Sequence, residues 1–394
     1  MKWSRFPFCC FVFFLLIFSS GMPLLAQNRQ SKNPLTSEFK SELIPIIERP
    51  LTPLEQRRIR ERIELLEKQA EEALMAGNDD LAFSLWYEAI NLSGYLGVES
   101  ELKLIARVGE RAWAKNRIQD VKFITERLTI IERNNDIDNL DFLNLLKNAY
   151  VSIHDLDKLV ELNLKTLDMA RSKNDSSLEK LSLENLGELY LAKFDYYRAE
   201  PIYERLLQIA RQEGDYLQEG IYLRKLAEIS QALVNPENSV LYKEELFKKA
   251  IENPSFSKNI SYLPMLKISL GDDYKQLNQP QLAGESYQEA FKMAWEKQLY
   301  SIAADALRKL GQLYHQYQRP DVALEIYQEL VKVEQLSYNL YGLMNAYDYI
   351  ATIYLQKQQV NRAREYWQKA LEVARNLRYQ EEYFLEKINS LKSK

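Results

Sequence analysis

Side chains able to do covalent chemistry are sparse in this chain, and none falls into a catalytic pattern. The two histidines, His154 and His315, lie far apart and outside any paired-histidine zinc spacing. The carboxylate pairs Glu244-Glu245 and Asp272-Asp273 are of a kind common on solvated helices. Both cysteines, Cys9 and Cys10, sit inside an apolar run near the N-terminus. Glycine-rich phosphate loops and nucleophile elbows do not occur. The expectation is a non-enzymatic protein with no cofactor and no metal. What recurs instead is a row suited to non-covalent charge recognition: Glu71, Glu110, Asn148, Glu188, Glu228, Asp272, Gln312 and Thr352, five of the eight acidic. Arg224 and Arg308 stand four residues before members of that row, and Trp113, Gln231, Lys275 and His315 three after. Residues at i, i+4 and i+7 of a helix share one face, so each set can meet one ligand.

A repeat positions this row. Each member directly follows an anchor, namely Ala70, Gly109, Lys147, Gly187, Ala227, Gly271, Gly311 or Ala351, at spacings of 39, 38, 40, 40, 44, 40 and 40 residues. Around the later anchors the signatures are LGELY (Leu186–Tyr190), LAEIS (Leu226–Ser230), LGDDY (Leu270–Tyr274), LGQLY (Leu310–Tyr314) and IATIY (Ile350–Tyr354). Twelve residues after the anchors stand Ala82, Val121, Leu159, Ala199, Ser239, Ala283, Ala323 and Ala363; sixteen after stand Trp86, Thr125, Asn163, Tyr203, Lys243, Tyr287, Tyr327 and Trp367. Two ladders at a constant offset mark eight structural units, and a fixed period of this length marks a solenoid.

Each unit reads as helix, tight turn, helix. Leu183, Leu186, Gly187 and Tyr190 form the apolar stripe of one helix; Ala199, Ile202, Tyr203, Leu206, Leu207 and Ala210 mark its partner. A small anchor lets two helices approach while the partner's aromatic fills the groove. Pro236, Pro280 and Pro320 each fall nine residues after their anchor, at the first turn of the second helix, where a missing N–H costs little. Gly77-Asn78-Asp79 and Asp195 serve the same turn elsewhere, and the four extra residues of the long period fall in the Asn253–Asn259 loop. Thr52-Pro53-Leu54-Glu55 reads as a helix start.

These residues resemble the tetratricopeptide repeat. NLGELY (Asn185–Tyr190), Ala199, Tyr203 and LLQIA (Leu206–Ala210) follow that pattern, and YRAEPIYERLL (Tyr197–Leu207) is similar to the longer-period variety found in kinesin light chains and many bacterial proteins. The resemblance covers roughly 54–376 and weakens in the second and third units, where Val121, Leu159, Thr125, Asn163 and Lys147 depart from the pattern. It implies an all-α, right-handed α-solenoid of about eight helix-turn-helix repeats over residues 53–376, closed by a C-terminal capping helix at 377–394, where Leu377, Phe384, Ile388 and Leu391 share a stripe. It also implies that the first helix of each unit lines a binding groove. The partner-binding residues expected there are Glu71, Glu110, Trp113, Asn148, Glu188, Arg224, Glu228, Asp272, Lys275, Arg308, Gln312 and His315. Acid over the N-terminal two-thirds of that groove favours a basic or polar peptide; the plainer reading is solvated surface, partly neutralised by Arg224 and Lys275. A carboxylate clamp of paired lysine and asparagine is approached only at Asn144/Asn148 and Arg224/Glu228.

At the N-terminus, Lys2 and Arg5 precede the apolar run Phe6–Phe18, then Ser19, Ser20, Gly21 and Leu24-Leu25-Ala26. This reads as a signal peptide over 1–26, cleaved after Ala26 or near Gly21, and hence as export to the periplasm, a lumen or the outside. The alternative is a membrane anchor formed by residues 6–26. Residues 27–52, with Pro34, Pro45 and Pro50, read as a polar lead-in or loosely packed tether. The 52 basic and 56 acidic residues show no basic run, which argues against nucleic acid. The chain therefore reads as an exported interaction scaffold or assembly factor for a protein or peptide partner. Its alternatives are a small-ligand sensor in the cell envelope, or a membrane-anchored adaptor if the leader stays; self-association through a stack end is open.

Overall fold

In a computed structural model described for residues 32–47, 49–252 and 262–391, the chain is all helical. Among the described residues there are 17 helices and no strand. Sixteen of them pair into the eight expected hairpins: α1 Pro53–Met75 with α2 Asp79–Gly94, α3 Val98–Ala114 with α4 Ile118–Asn134, α5 Leu140–Ser152 with α6 Leu156–Ser172, and α7 Ser176–Ala192 with α8 Tyr196–Glu213. The series continues with α9 Tyr216–Ala232 and α10 Pro236–Glu252, α11 Tyr262–Gln276 and α12 Pro280–Glu296, α13 Tyr300–Gln316 and α14 Pro320–Leu336, α15 Leu340–Gln356 and α16 Val360–Leu377. The last helix, α17 Glu381–Ser390, packs on α16. The proposed signal segment 1–26 and the Asn253–Asn259 loop lie outside the described residues.

Local sequence chemistry sets the helix ends. Thr52 caps α1 with a reciprocal capping box to Glu55, and Pro236, Pro280 and Pro320 are each the first residue of a second helix. Asn78, Asp155 and Asp195 cap their helices by accepting a backbone N–H three residues on. Each hairpin turns on one residue seven after its anchor in the left-handed region. That residue is Gly77 in the first hairpin, but Asn116, His154, Phe194, Val234, Asn278, Gln318 and Gln358 in the others. Around Phe194 the N–H of Phe194 bonds Leu191 and that of Asp195 bonds Tyr190, which ties off the open carbonyls of α7.

The chain divides into two compact units, Met1–Asn134 and Asn135–Lys394. In the first, Trp86, Phe83, Ile90, Leu102 and Ile105 are buried between the helices of repeats 1 and 2. The lead-in is partly docked here rather than loose throughout. Leu35 is 1% exposed, Asn33 Nδ2 donates to the Phe123 carbonyl at 3.0 Å and to Glu126 at 2.8 Å, and Asn91 reaches the Pro34 carbonyl at 3.1 Å. A polar composition conceals this, because two or three residues suffice to hold such a segment.

In the second unit the anchors do what their size suggests. A Cβ on Gly187 would stand 2.9 Å from the Tyr203 ring, and Gly271 and Gly311 are met in the same way by Tyr287 and Tyr327. Ala351 and Trp367 occupy these columns in repeat 8, inside a core with Ile350, Ala363 and Ala370 that takes in Phe384, Ile388 and Leu391 from the C-terminal end. In repeat 3, by contrast, Lys147 stands at the anchor and Asn163 in the aromatic column. The Lys147 ammonium donates to Thr166 Oγ1 at 3.2 Å, and burial alone pushes its pKa down. Asn163 Nδ2 bonds the Leu159 carbonyl at 2.8 Å, leaving Oδ1 without a partner.

Candidate functional site

Glu71, Glu110 and Trp113 belong to the first unit and the other nine expected residues to the second. In the first unit, α1 and α3 frame an open cleft of about 450 Å³ whose lining includes Trp86, Val108, Glu67, Glu71, Arg107 and Arg111. The cleft is charged but largely compensated: Arg107 pairs with Glu67 at 2.7 Å and Arg111 with Glu71 at 2.9 Å. Glu110 lies in the same cleft and is exposed. Trp113 is 47% exposed at the end of α3.

A second hollow of about 680 Å³ lies between the lead-in and helices α2 and α4. The Tyr87 hydroxyl and the Arg117 guanidinium both donate to Asp120 there, and Arg117 also pairs with Asp80 at 2.8 Å and stacks over Phe83. Burial, then the bond to Asp120, raises the Tyr87 phenol far above its ordinary range.

The second unit presents the polar row on its first helices. Asn148, Glu188, Arg224, Glu228 and Lys275 are exposed, while Asp272, Arg308, Gln312 and His315 are half-buried. Two of the three acidic members, Glu188 and Asp272, have internal duties that sequence spacing did not reveal. Glu188 accepts from the Tyr203 hydroxyl at 2.9 Å and pairs at 3.2 Å with Lys225 of the next repeat. Asp272 accepts from the Tyr287 hydroxyl at 2.7 Å and from Lys309 of the next repeat at 2.8 Å. Burial first, then these carboxylates, raise the Tyr203 and Tyr287 phenols. Lys225 and Lys309, rather than Arg224 and Lys275, are thus the cations that neutralise Glu188 and Asp272. The signal for them was a lysine two residues before the anchors of repeats 5 and 7, one column outside the sites considered. Arg308 pairs with Asp305 on its own helix, and His315 Nε2 lies 2.9 Å from Gln356 Oε1.

The aromatic column continues the same logic at the C-terminal end. Trp367 Nε1 donates to Asp348 at 2.7 Å, and Tyr327 and Tyr349 rings lie 4.9 Å apart. Among the described residues no group of three His, Cys, Asp or Glu could hold a metal ion, and no helix is long and apolar enough to cross a membrane. What the arrangement can do chemically is offer hydrogen bonds and charges from the first helices of successive repeats.

The tetratricopeptide-repeat family model matches residues 182–213 and 343–377. No curated protein matches the sequence. Among solved structures, the chain is similar to BtubC (BKLC) from P. vanneervenii at 17% identity, covering 57% of this chain and 92% of that one, with a TM-score of 0.41. It is similar at 17% identity to a signal transduction ATPase with numerous domains and a tetratricopeptide repeat sensor from Pyrococcus horikoshii, covering 86% of this chain and 52% of that one, with a TM-score of 0.44. It is also similar to aspartyl phosphate phosphatase F from Bacillus subtilis at 16% identity, covering 73% and 78%, with a TM-score of 0.43.

Proposed function

Because the chain is a tetratricopeptide-repeat protein, we propose that it is an exported, non-enzymatic scaffold or assembly factor that seats a partner peptide or protein on its first-helix face. Repeats of this type serve protein–protein interaction, and a stack of hairpins offers an extended surface rather than a catalytic cleft. The observation that carries the reading is the succession of Arg224, Glu228, Lys275, Gln312 and His315 on α9, α11 and α13. These are polar side chains at recurring positions, exposed on α9 and α11 and half-buried on α13, with Tyr287 and Tyr327 packed against the anchors of α11 and α13. The proposed export rests on the basic, apolar and small-residue order of residues 1–26.

The test uses a C-terminally tagged full-length chain, cross-linked and captured from soluble and membrane envelope fractions. A partner lost on Gln312→Arg plus Glu228→Arg, with unchanged circular dichroism, is the expected result. Capture indifferent to these changes overturns the groove. Mass spectrometry of the bait reads its N-terminus: a start at Gln27 or Met22 supports export with cleavage, and an intact leader replaces it with a membrane-anchored adaptor. The cleft of about 450 Å³ between α1 and α3 has the volume of a small-molecule site and carries the alternative of a ligand sensor. A thermal shift with a small molecule, abolished by Arg111→Ala, would favour it.

A further inference from the structure

In the second unit three repeats, 4 to 6, carry a carboxylate directly after the anchor, and two of the three close it in the same way. In repeats 4 and 6 the carboxylate after the anchor is closed twice, by the tyrosine of its own second helix and by a lysine of the next repeat: Tyr203 and Lys225 at Glu188, Tyr287 and Lys309 at Asp272. In repeat 5 neither closing group exists. Lys243 stands where the tyrosine would be, and Ser269 where the next lysine would be. Lys243 is turned away from Glu228, its Nζ donating to Ser269 Oγ and Asp273 Oδ2, both at 2.6 Å. Asp273 also accepts from Ser239 at 2.8 Å, and the lysine and aspartate side chains are each 3% exposed. The buried pair thus satisfies itself between repeats 5 and 6 and leaves Glu228 out.

Glu228 is exposed and has no hydrogen-bond or ion-pair partner among the described residues. Arg224, one turn earlier on α9, is exposed and unpartnered in the same sense, and the two do not bridge each other. Tyr262, the first residue of α11, feels both: burial raises its phenol most, Arg224 lowers it and Glu228 raises it. At Glu188 or Asp272 an incoming cation must displace an internal lysine; at repeat 5 it displaces water.

We infer that Arg224 and Glu228 are the charge-reading point of this face, and that they take an extended peptide segment carrying an acidic and a basic side chain two residues apart. This rests on the peptide-binding reading above. Residues i and i+4 of a helix hold their Cβ atoms about 5–6 Å apart. An extended chain advances about 3.3 Å per residue and points alternate side chains the same way, so partners two apart span about 6.6 Å. An acidic side chain fits the Arg224 fork, which can bind a carboxylate through two N–H groups. A lysine or arginine two positions away meets Glu228. The site follows from the lysine in the aromatic column, since a tyrosine there would have tied Glu228 down.

The experiment selects a phage-displayed library of 12-residue peptides against the full-length chain and measures the recovered peptides by fluorescence anisotropy. The expected result is enrichment of opposite charges two residues apart. Binding should weaken up to about fivefold on Arg224→Ala and on Glu228→Ala, with little change on Lys248→Ala on the exposed surface of α10. Selection against Glu228→Lys should replace the basic residue with an acidic one. Peptides that lack the charge pair and are insensitive to both alanine variants, yet weaken on Gln312→Ala or His315→Ala, overturn this inference and leave the peptide-binding reading standing. A library that yields no binder overturns both.

Discussion

Tyr287 lays its ring so close to α11 that a Cβ on Gly271 would stand 2.5 Å from Cε1. Carbon atoms attract best at about 3.5–4.0 Å, so the aromatic of the second helix occupies the place of the side chain that the first helix lacks. The same pairing joins Gly187 to Tyr203 and Gly311 to Tyr327. The repeat signature is therefore a record of volume, with bulk moved from one column to another.

Gly271→Ala is expected to destabilise the protein by about 1–3 kcal/mol, because neither helix can retreat without opening its other contacts. Gly284→Ala provides the contrast. Its new methyl would meet Leu313 at an ordinary 3.6 Å, and removing glycine from a helix interior gains about 0.5–1 kcal/mol. Thermal denaturation of the two variants should shift in opposite directions.

The buried Lys243–Asp273 pair predicts strong non-additivity. Lys243→Met strands a carboxylate in the interior and should cost about 3–5 kcal/mol. Adding Asp273→Leu should recover most of that loss, since well-packed apolar groups often replace a buried ion pair without penalty. A denaturant-unfolding cycle over the four proteins measures the coupling directly, and additive losses would contradict it.

Val234 turns the hairpin of repeat 5 at φ +55°, where its branched Cβ crowds the backbone. Val234→Gly should stabilise the protein by about 1 kcal/mol by removing that clash. Gly214→Ala should do the reverse at φ +68°, where open space around the glycine leaves backbone conformation as the only cost. Melting temperatures of the pair test both signs.

The α1 cap gives a pH prediction. The side-chain bond from Arg49, then the backbone and hydroxyl of Thr52, depress the Glu55 carboxyl to about 2. A depressed acid contributes stability that is fully present above its unfolded value of about 4.3 and is lost as pH falls through the folded one. The cap should therefore persist through pH 4 and open near pH 2. Carbon-detected titration of Glu55 reads this, and a midpoint near 4.3 would show that the cap does not hold.

Where chemistry is local, the sequence disclosed the structure closely. Pro236, Pro280 and Pro320 mark helix starts because a residue without an N–H fits few places, and the anchors mark crossings because only small side chains fit them. Features that join distant residues were hidden. Lys225 closes Glu188 from 37 residues away, and its place two residues before an anchor is the one local sign of it. Lys243 stands in the sequence only as a non-aromatic member of its column, although it is one half of a buried pair whose other half lies 30 residues on. Phe194 and Val234 occupy left-handed turns that their intrinsic preferences oppose, since packing of the two helices on either side fixes the turn. Leu35 and Asn33 dock inside a stretch whose composition suggests a tether.

The second unit responds to tension differently from a globule, because among the described residues its helices pack chiefly on their neighbours in sequence. Held by its termini and stretched, it should give way one hairpin at a time, each release of about 40 residues paying out roughly 130 Å of chain. Slackened, each hairpin can close on the one beside it without a long loop to search for. The second unit would thus behave as a reversible spring whose step length is written in the spacing of its anchors.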